Sequence, residues 1–284
     1  MRPLALVALL ALSACAPLGA FNTLVPKDAG AGLAAADQAF APGDRRKLDV
    51  YAPTRLASGS KLPVIVFFYG GSWSSGTKEG YAFVGRALAA RGFIVVIPDY
   101  RLLPEVRFPS FLEDGAAAVK WARANAPRFG GDPDSIVLAG HSAGAYNAAM
   151  LSLDPLWLGP ERGAIRGFVG LAGPYDFLPL DGITTPIFGN APDLRATQPV
   201  TFAGPGDPPT LLMVAGKDTL VGPRSSERLA LLLTQAGEKA EIRTYPEVGH
   251  VGILTAIAKP FRGRASVLDD LASFALTVTR APQN

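Results

Sequence analysis

From about residue 46 onward, short runs of uninterrupted apolar residues alternate with stretches of helical spacing. Residues 240–245 are expected as the last strand, and the runs at 63–68, 93–97, 135–139, 167–171 and 210–215 are apolar throughout or nearly so, several of them rich in β-branched and aromatic residues. Their lack of polar alternation predicts strands covered on both faces, hence a mostly parallel sheet flanked by helices. Residues 47–51 alternate polar and apolar, as a half-buried early strand does. Between the strands, apolar positions recur at helical spacing over 81–90, 110–125, 143–153, 223–236 and 267–278. Gly92 and Gly237 stand where a helix C-terminal glycine belongs, and Pro223 where a first-turn proline does. Ser110 and Glu113 have capping-box spacing. This order predicts one α/β domain with a doubly wound, mostly parallel sheet. The only candidate for a cap is the proline-rich stretch 174–209, which is short.

The first 45 residues do not follow this pattern. Met1-Arg2 is a short basic start, and residues 4–12 are apolar but too few to span a bilayer. Small residues follow, as in a secretory signal. Leu12-Ser13-Ala14-Cys15 resembles the bacterial lipobox, in which the chain is cut before a cysteine that then carries lipid. The alternative is an ordinary signal peptide with Cys15 incidental. The lipobox reading predicts a removed leader at 1–14, lipidation at Cys15, and a tether at 15–45 with one short helix near 33–40. The domain then occupies 46–284, held at the cell envelope. Ala16 rather than Asp after the cysteine points to the outer membrane, facing the periplasm.

Composition narrows the chemistry. Net charge is +3 and the basic residues are scattered, so no stripe suits nucleic acid. One cysteine excludes an intrachain disulfide framework, and two histidines exclude most His/Cys metal sites. Neither a metal nor an organic cofactor is expected.

The scarcity of histidine matters most at Gly140-His141-Ser142-Ala143-Gly144. An apolar strand precedes this stretch and a small-residue helix follows, which puts Ser142 at the tip of a tight turn. Side chains at positions 140 and 144 are expected to collide with the neighbouring helix and strand. A serine hydroxyl needs a base to become a nucleophile, and the base needs an orienting acid. His141 leaves the backbone in another direction from Ser142, so His250, in the loop after the last strand, is the expected base. Asp218, just past a strand end, is the expected acid, with Asp176, Asp207 and Glu247 as rivals. Negative charge developing on a substrate carbonyl needs backbone N–H donors. Ala143 at a helix start supplies one, and the loop Gly70-Gly71-Ser72 is placed to supply others.

Tyr69-Gly70-Gly71-Ser72-Trp73, Pro98-Asp99-Tyr100-Arg101, the turn at 130–133, the Gly140–Gly144 elbow, Asp218 and His250 occur in the order seen in α/β-hydrolase carboxylesterases. The chain resembles bacterial esterases with an H-G-G-x-W loop, grouped with hormone-sensitive-lipase-like and kynurenine-formamidase-like enzymes. The resemblance covers residues 48 to the C-terminus. It implies a Ser142–His250–Asp218 triad and an oxyanion hole from the N–H groups of Gly71, Ser72 and Ala143. It also implies hydrolysis of small-molecule carboxylic esters through an acyl-enzyme, and the short 174–209 stretch, with no room for a large lid, leads us to expect short-chain or small aryl esters. Tyr69 stands where the family usually has His, and its hydroxyl is expected to order the loop instead. Trp73 and Tyr100 are expected either in a pocket or in the core, and Asp99 with Arg101 as a structural pair. An arylformamidase or other amidase on the same machinery is an alternative. So is a non-catalytic, membrane-tethered binding protein.

Overall fold

The computed structural model describes residues 16–280. Among these, the strands are β1 (Ala31–Ala39), β2 (Lys47–Pro53), β3 (Leu62–Phe68), β4 (Ile94–Pro98), β5 (Gly131–His141), β6 (Ile165–Leu171), β7 (Thr210–Ala215) and β8 (Ala240–Tyr245). The helices are α1 (Ala16–Leu24), α2 (Ala82–Ala89), α3 (Ser110–Asn125), α4 (Ala143–Leu153), α5 (Pro155–Leu158), α6 (Thr185–Phe188), α7 (Pro223–Gln235), α8 (His250–Thr255) and α9 (Val267–Arg280). No helix among the described residues is long and apolar enough to cross a membrane.

All eight strands join one sheet in the order β1-β2-β4-β3-β5-β6-β7-β8. The β1–β2 and β2–β4 pairs are antiparallel, and every later pair is parallel. The continuous apolar runs fall where they must. β3 lies between β4 and β5, and Val64 to Phe68 are fully buried. Helices on both faces exclude water from side chains of both parities.

Residues 31–39, expected within a tether and to hold a short helix near 33–40, are instead the first strand of the sheet. Their Ala-rich sequence has neither alternation nor β-branched residues, so no local preference announces a strand. Pairing with β2 supplies the order. It is interrupted by register shifts between Leu33 and Ala35 and between Ala35 and Gln38, with Asp37 at φ 51°. Such irregularities blunt an edge that would otherwise invite another chain. Lys78, itself buried, ties this edge inward through Asp37 (2.8 Å) and Asp49 (3.0 Å). A buried ammonium needs such partners to offset its desolvation.

The segment before β1 is also docked. Phe21 of α1 packs edge-on against Phe83 at 5.3 Å and stacks on Phe261 at 5.7 Å. Asn22 donates to the Glu79 carbonyl and accepts from the Phe83 N–H.

Two further expectations are corrected. Ser110 is the first residue of α3 rather than its cap, and Pro109 takes the capping position without a side-chain bond. Arg101 does not pair with Asp99. It makes a two-pronged bond to the buried Asp114 (2.8 and 2.9 Å), while Asp99 accepts from the Lys78 N–H. A planar guanidinium matches a carboxylate in this two-bond geometry, so Asp114 on α3 outcompetes a neighbour two residues away.

The stretch 174–209 forms α6 and short 3-10 turns. Phe188 packs edge-on against Trp73 at 5.0 Å and lies 5.3 Å from Tyr146. Trp73, Phe111, Tyr146 and Phe188 thus fill one side of the region above the carboxyl ends of the strands. Trp73 and Tyr100 are both core residues.

Candidate active site

Ser142 is the single residue between β5 and α4, at φ 55° and ψ −124°. A non-glycine residue rarely adopts this conformation, which costs on the order of 1–3 kcal/mol and persists only when its surroundings enforce it. Here they do. The Ser142 N–H donates to the Leu171 carbonyl at 2.9 Å, and its own carbonyl accepts from Ala145 at 2.9 Å. The turn is closed so tightly that a Cβ on Gly140 would lie 2.3 Å from the Gly144 oxygen. One on Gly144 would lie 2.1 Å from the Phe68 oxygen. The two glycines therefore meet helix and strand as the spacing predicts.

His250 opens α8, after the loop that follows β8, and Asp218 follows β7. The structure brings both to Ser142. His250 Nε2 is 2.8 Å from Ser142 Oγ, and His250 Nδ1 is 2.8 Å from Asp218 Oδ2. A carboxylate can only accept, so Nδ1 carries the hydrogen and Nε2 presents its lone pair to the serine hydroxyl. The other Asp218 oxygen, Oδ1, accepts from the backbone N–H groups of Leu220 (2.8 Å) and Val221 (2.9 Å). The acid is thus held from behind while it holds the ring. Its side chain is 2% exposed and that of His250 11%.

The rival acids are engaged elsewhere. Asp207 pairs with Arg162, Glu247 pairs with Lys217 at the surface, and Asp176 is exposed. Burial pushes the Asp207 carboxyl up to about 6.

The loop after β3 approaches Ser142 from the other side. Gly71 (φ 135°), Ser72 (φ 50°) and Trp73 (φ 53°) all take left-handed backbone, and the Gly71 carbonyl accepts from Ser74 and Ser75. A Cβ on Gly71 would overlap the Ser75 oxygen at 2.2 Å, so only glycine fits. Tyr69 orders the base of the loop. Its hydroxyl accepts from Arg45 at 2.8 Å, its ring stacks on Tyr100 at 4.6 Å, and its carbonyl accepts the Tyr100 hydroxyl at 2.7 Å. At the far end Trp73 Nε1 donates to Asn147 Oδ1 on α4 (3.0 Å). Gly71 and Ser72 line the cavity above Ser142. Ala143 is the first residue of α4, where backbone N–H groups lack partners within the helix.

His141 is buried and turned away from Ser142. Its Nε2 lies 2.9 Å from the His250 carbonyl and its Nδ1 3.4 Å from the Tyr81 hydroxyl. Burial, helped by the nearby His250, pushes its pKa down to about 3.

The cavity has a volume of about 580 Å³. Its polar lining includes Ser72, Ser74, Ser75 and Thr77. Apolar lining comes from Leu18 and Phe21 of α1 and from Leu220, Val251 and Leu254. The sequence reading missed the α1 wall. Its only signal would have been the pair Leu18 and Phe21 at helical spacing in an otherwise small-residue stretch. Among the described residues no group of three or more His, Cys, Asp or Glu side chains could hold a metal ion.

Residues 48–157 match the BD-FAE family. The chain is 31% identical over 255 residues to the probable isoprenylcysteine alpha-carbonyl methylesterase ICME of Oryza sativa subsp. japonica, covering 81% of this chain and 60% of that protein. It is 40% identical over 124 residues to esterase LipC of Mycobacterium tuberculosis, covering 40% of this chain and 30% of that one. The chain thus spans at most about three fifths of the length of these two relatives. Among solved structures, esterase B from Lactobacillus rhamnosis superposes with a TM-score of 0.81 at 17% identity, covering 93% of both chains. A truncated carbohydrate esterase from gut microbiota superposes with a TM-score of 0.77 at 20% identity, covering 90% of this chain and 100% of that one. The fold is that of the α/β-hydrolases.

Proposed function

We propose that this α/β-hydrolase-fold chain hydrolyses carboxylic esters through an acyl-enzyme on Ser142. The observation that carries the reading is the hydrogen-bonded line Ser142–His250–Asp218, at 2.8 Å per step, opening on a cavity. In this reading Ser142 Oγ attacks the ester carbonyl as His250 Nε2 takes its proton. Asp218 keeps Nδ1 protonated and stabilises the imidazolium. The developing oxyanion is received by the N–H groups of Gly71, Ser72 and Ala143, each such donor being worth roughly 10²–10³ in rate. His250 returns the proton to the departing alcohol, and water activated by the same ring releases the acid. The relatives named as esterases and methylesterases support ester chemistry. Ser142→Ala is expected to fold normally, lose hydrolysis of p-nitrophenyl acetate and lose labelling by a fluorophosphonate probe. Retention of most activity would overturn the assignment.

The substrates are short-chain or small aryl esters. The stretch 174–209 packs into the aromatic cluster instead of forming a large mobile lid, and the cavity is bounded by α1 and α8. Butanoyl esters should turn over faster than hexadecanoyl ones, and the reverse order would count against this.

The leader 1–14 and Cys15 lie outside the described residues. In our reading Cys15 carries lipid after cleavage before it, and anchors the protein to the outer membrane facing the periplasm. Leu18 lines the cavity only three residues further on, a reach of at most about 11 Å. The cavity would then open close to the bilayer. Mass spectrometry of the mature N-terminal peptide tests this, and an unmodified cysteine would refute it.

A further inference from the structure

His141 belongs to the elbow motif but takes no part in the chemistry proposed above. Its two ring nitrogens nevertheless connect the two halves of the site. The His250 carbonyl can only accept a hydrogen bond, so the His141 nitrogen 2.9 Å away, Nε2, carries the hydrogen. In the neutral ring Nδ1 then has a free lone pair, and it faces the Tyr81 hydroxyl at 3.4 Å. That hydroxyl accepts the Gly70 N–H at 3.0 Å, which leaves its own hydrogen for His141. Burial raises the Tyr81 pKa, so this hydrogen stays in place. Every donor and acceptor is accounted for in one direction: Gly70 N–H to Tyr81 Oη, Tyr81 O–H to His141 Nδ1, His141 Nε2–H to the His250 carbonyl.

The ends of this line are informative. Gly70 immediately precedes the loop that presents Gly71 and Ser72. His250 is the base. The contact surfaces are equally close, since a Cβ on Gly70 would lie 2.9 Å from His141 Nδ1 and 3.0 Å from Ser142 Cβ. The His141 and His250 rings lie 5.0 Å apart between centroids. No covalent element joins the loop after β3 to the start of α8, which come from chain positions about 180 residues apart. Something must set the spacing between them, because the donors hold the carbonyl oxygen while the base serves the serine and the leaving oxygen on the same carbonyl carbon.

We infer that His141 is a positioning residue which, through Tyr81 and the His250 carbonyl, fixes the oxyanion loop and the imidazole at one separation. This rests on the proposed ester hydrolysis at Ser142. It adds to it that the serine's neighbour acts on rate rather than on binding. A displacement of about 1 Å in such a constellation costs roughly 10²-fold in rate.

Three variants test it. His141→Phe keeps an aromatic ring and removes both bonds. Tyr81→Phe leaves His141 in place and cuts the line one step away. His141→Gln offers an amide N–H and oxygen at nearly the spacing of the two ring nitrogens. Steady-state kinetics on p-nitrophenyl butanoate should show kcat for His141→Phe lower by about 10²-fold, with KM within about threefold of the wild type. Tyr81→Phe should lower kcat in the same sense, and His141→Gln should recover most of it. The double variant His141→Phe/Tyr81→Phe should be no worse than His141→Phe alone, because both cut one line. A kcat within twofold of wild type for His141→Phe would overturn the inference. So would a double variant whose loss is the product of the single losses. If His141→Phe does not fold, Tyr81→Phe and His141→Gln decide the question by the same kcat readout. Whether wild type loses its activity on Ser142→Ala tests the underlying reading separately, since the inference is read only from ratios to an active wild type.

Discussion

Acidification should destabilise this protein through His141 in a way that one substitution removes. The ring is 4% exposed, and burial lowers its pKa from 6.5 to about 3. In the unfolded chain the same imidazole takes up its proton near pH 6.5. Between those values the unfolded state binds a proton that the native state refuses, so native stability falls as pH falls. The contribution is whole above pH 6.5 and is lost progressively toward pH 3. From pH 6.5 to pH 5 the loss is 1.5 units at 1.36 kcal/mol each, or about 2 kcal/mol. Asp207 acts in the opposite sense. Its carboxyl is raised to about 6, so the native state holds a proton that the unfolded one releases, and acidification favours the native state. That contribution is common to wild type and variant. Urea unfolding of wild type and His141→Gln at pH 7.5 and pH 5.0 isolates the His141 part as a difference of differences. The wild type should lose about 2 kcal/mol more than the variant over this interval. Equal losses would mean that His141 titrates normally, and so that it is not sealed beneath the elbow.

Three other substitutions probe the site's construction. Asp218→Asn should preserve the fold but lower kcat by about 10³–10⁴, because an amide no longer enforces a hydrogen on His250 Nδ1. A loss under tenfold would reassign the acid. Gly144→Ala places a methyl 2.1 Å from the Phe68 oxygen and should cost at least about 3 kcal/mol in thermal or urea unfolding. An unchanged melting temperature would show that β3 and α4 are not in contact there. Trp73→Phe leaves Asn147 Oδ1 without its donor inside the aromatic cluster, an expected cost of about 1–3 kcal/mol by the same measurement.

The sheet was legible wherever burial on both faces writes a continuous apolar run, as at Val64 to Phe68 and at Thr210 to Ala215. β1 was not, because an Ala-rich edge strand takes its order from β2 and not from its own side chains. The Arg101–Asp114 pair was equally hidden, since α3 brings Asp114 back over the end of β4 only in three dimensions. At the site, Ser142, His250 and Asp218 could be singled out as candidates because so few histidines compete, and the fold brings their side chains together. Residues that act through contacts left no trace. Nothing in the sequence says that the His141 ring reaches the His250 carbonyl, or that Leu18 and Phe21 line one cavity with Leu254. Both depend on elements distant in sequence packing side by side.

The docking of α1 has a practical consequence for anyone who prepares this protein. A chain shortened to begin at the sheet, near residue 31, would keep every strand and all of Ser142, His250 and Asp218. It would nevertheless lack Leu18 and Phe21, and so one side of the substrate chamber. The rings of Phe83 and Phe261 would lose their contact with Phe21. If the proposed ester hydrolysis holds, selectivity measured on such a trimmed chain would describe an open trough, not the chamber of the longer one. The cleavage proposed between residues 14 and 15 would spare the helix by a single residue.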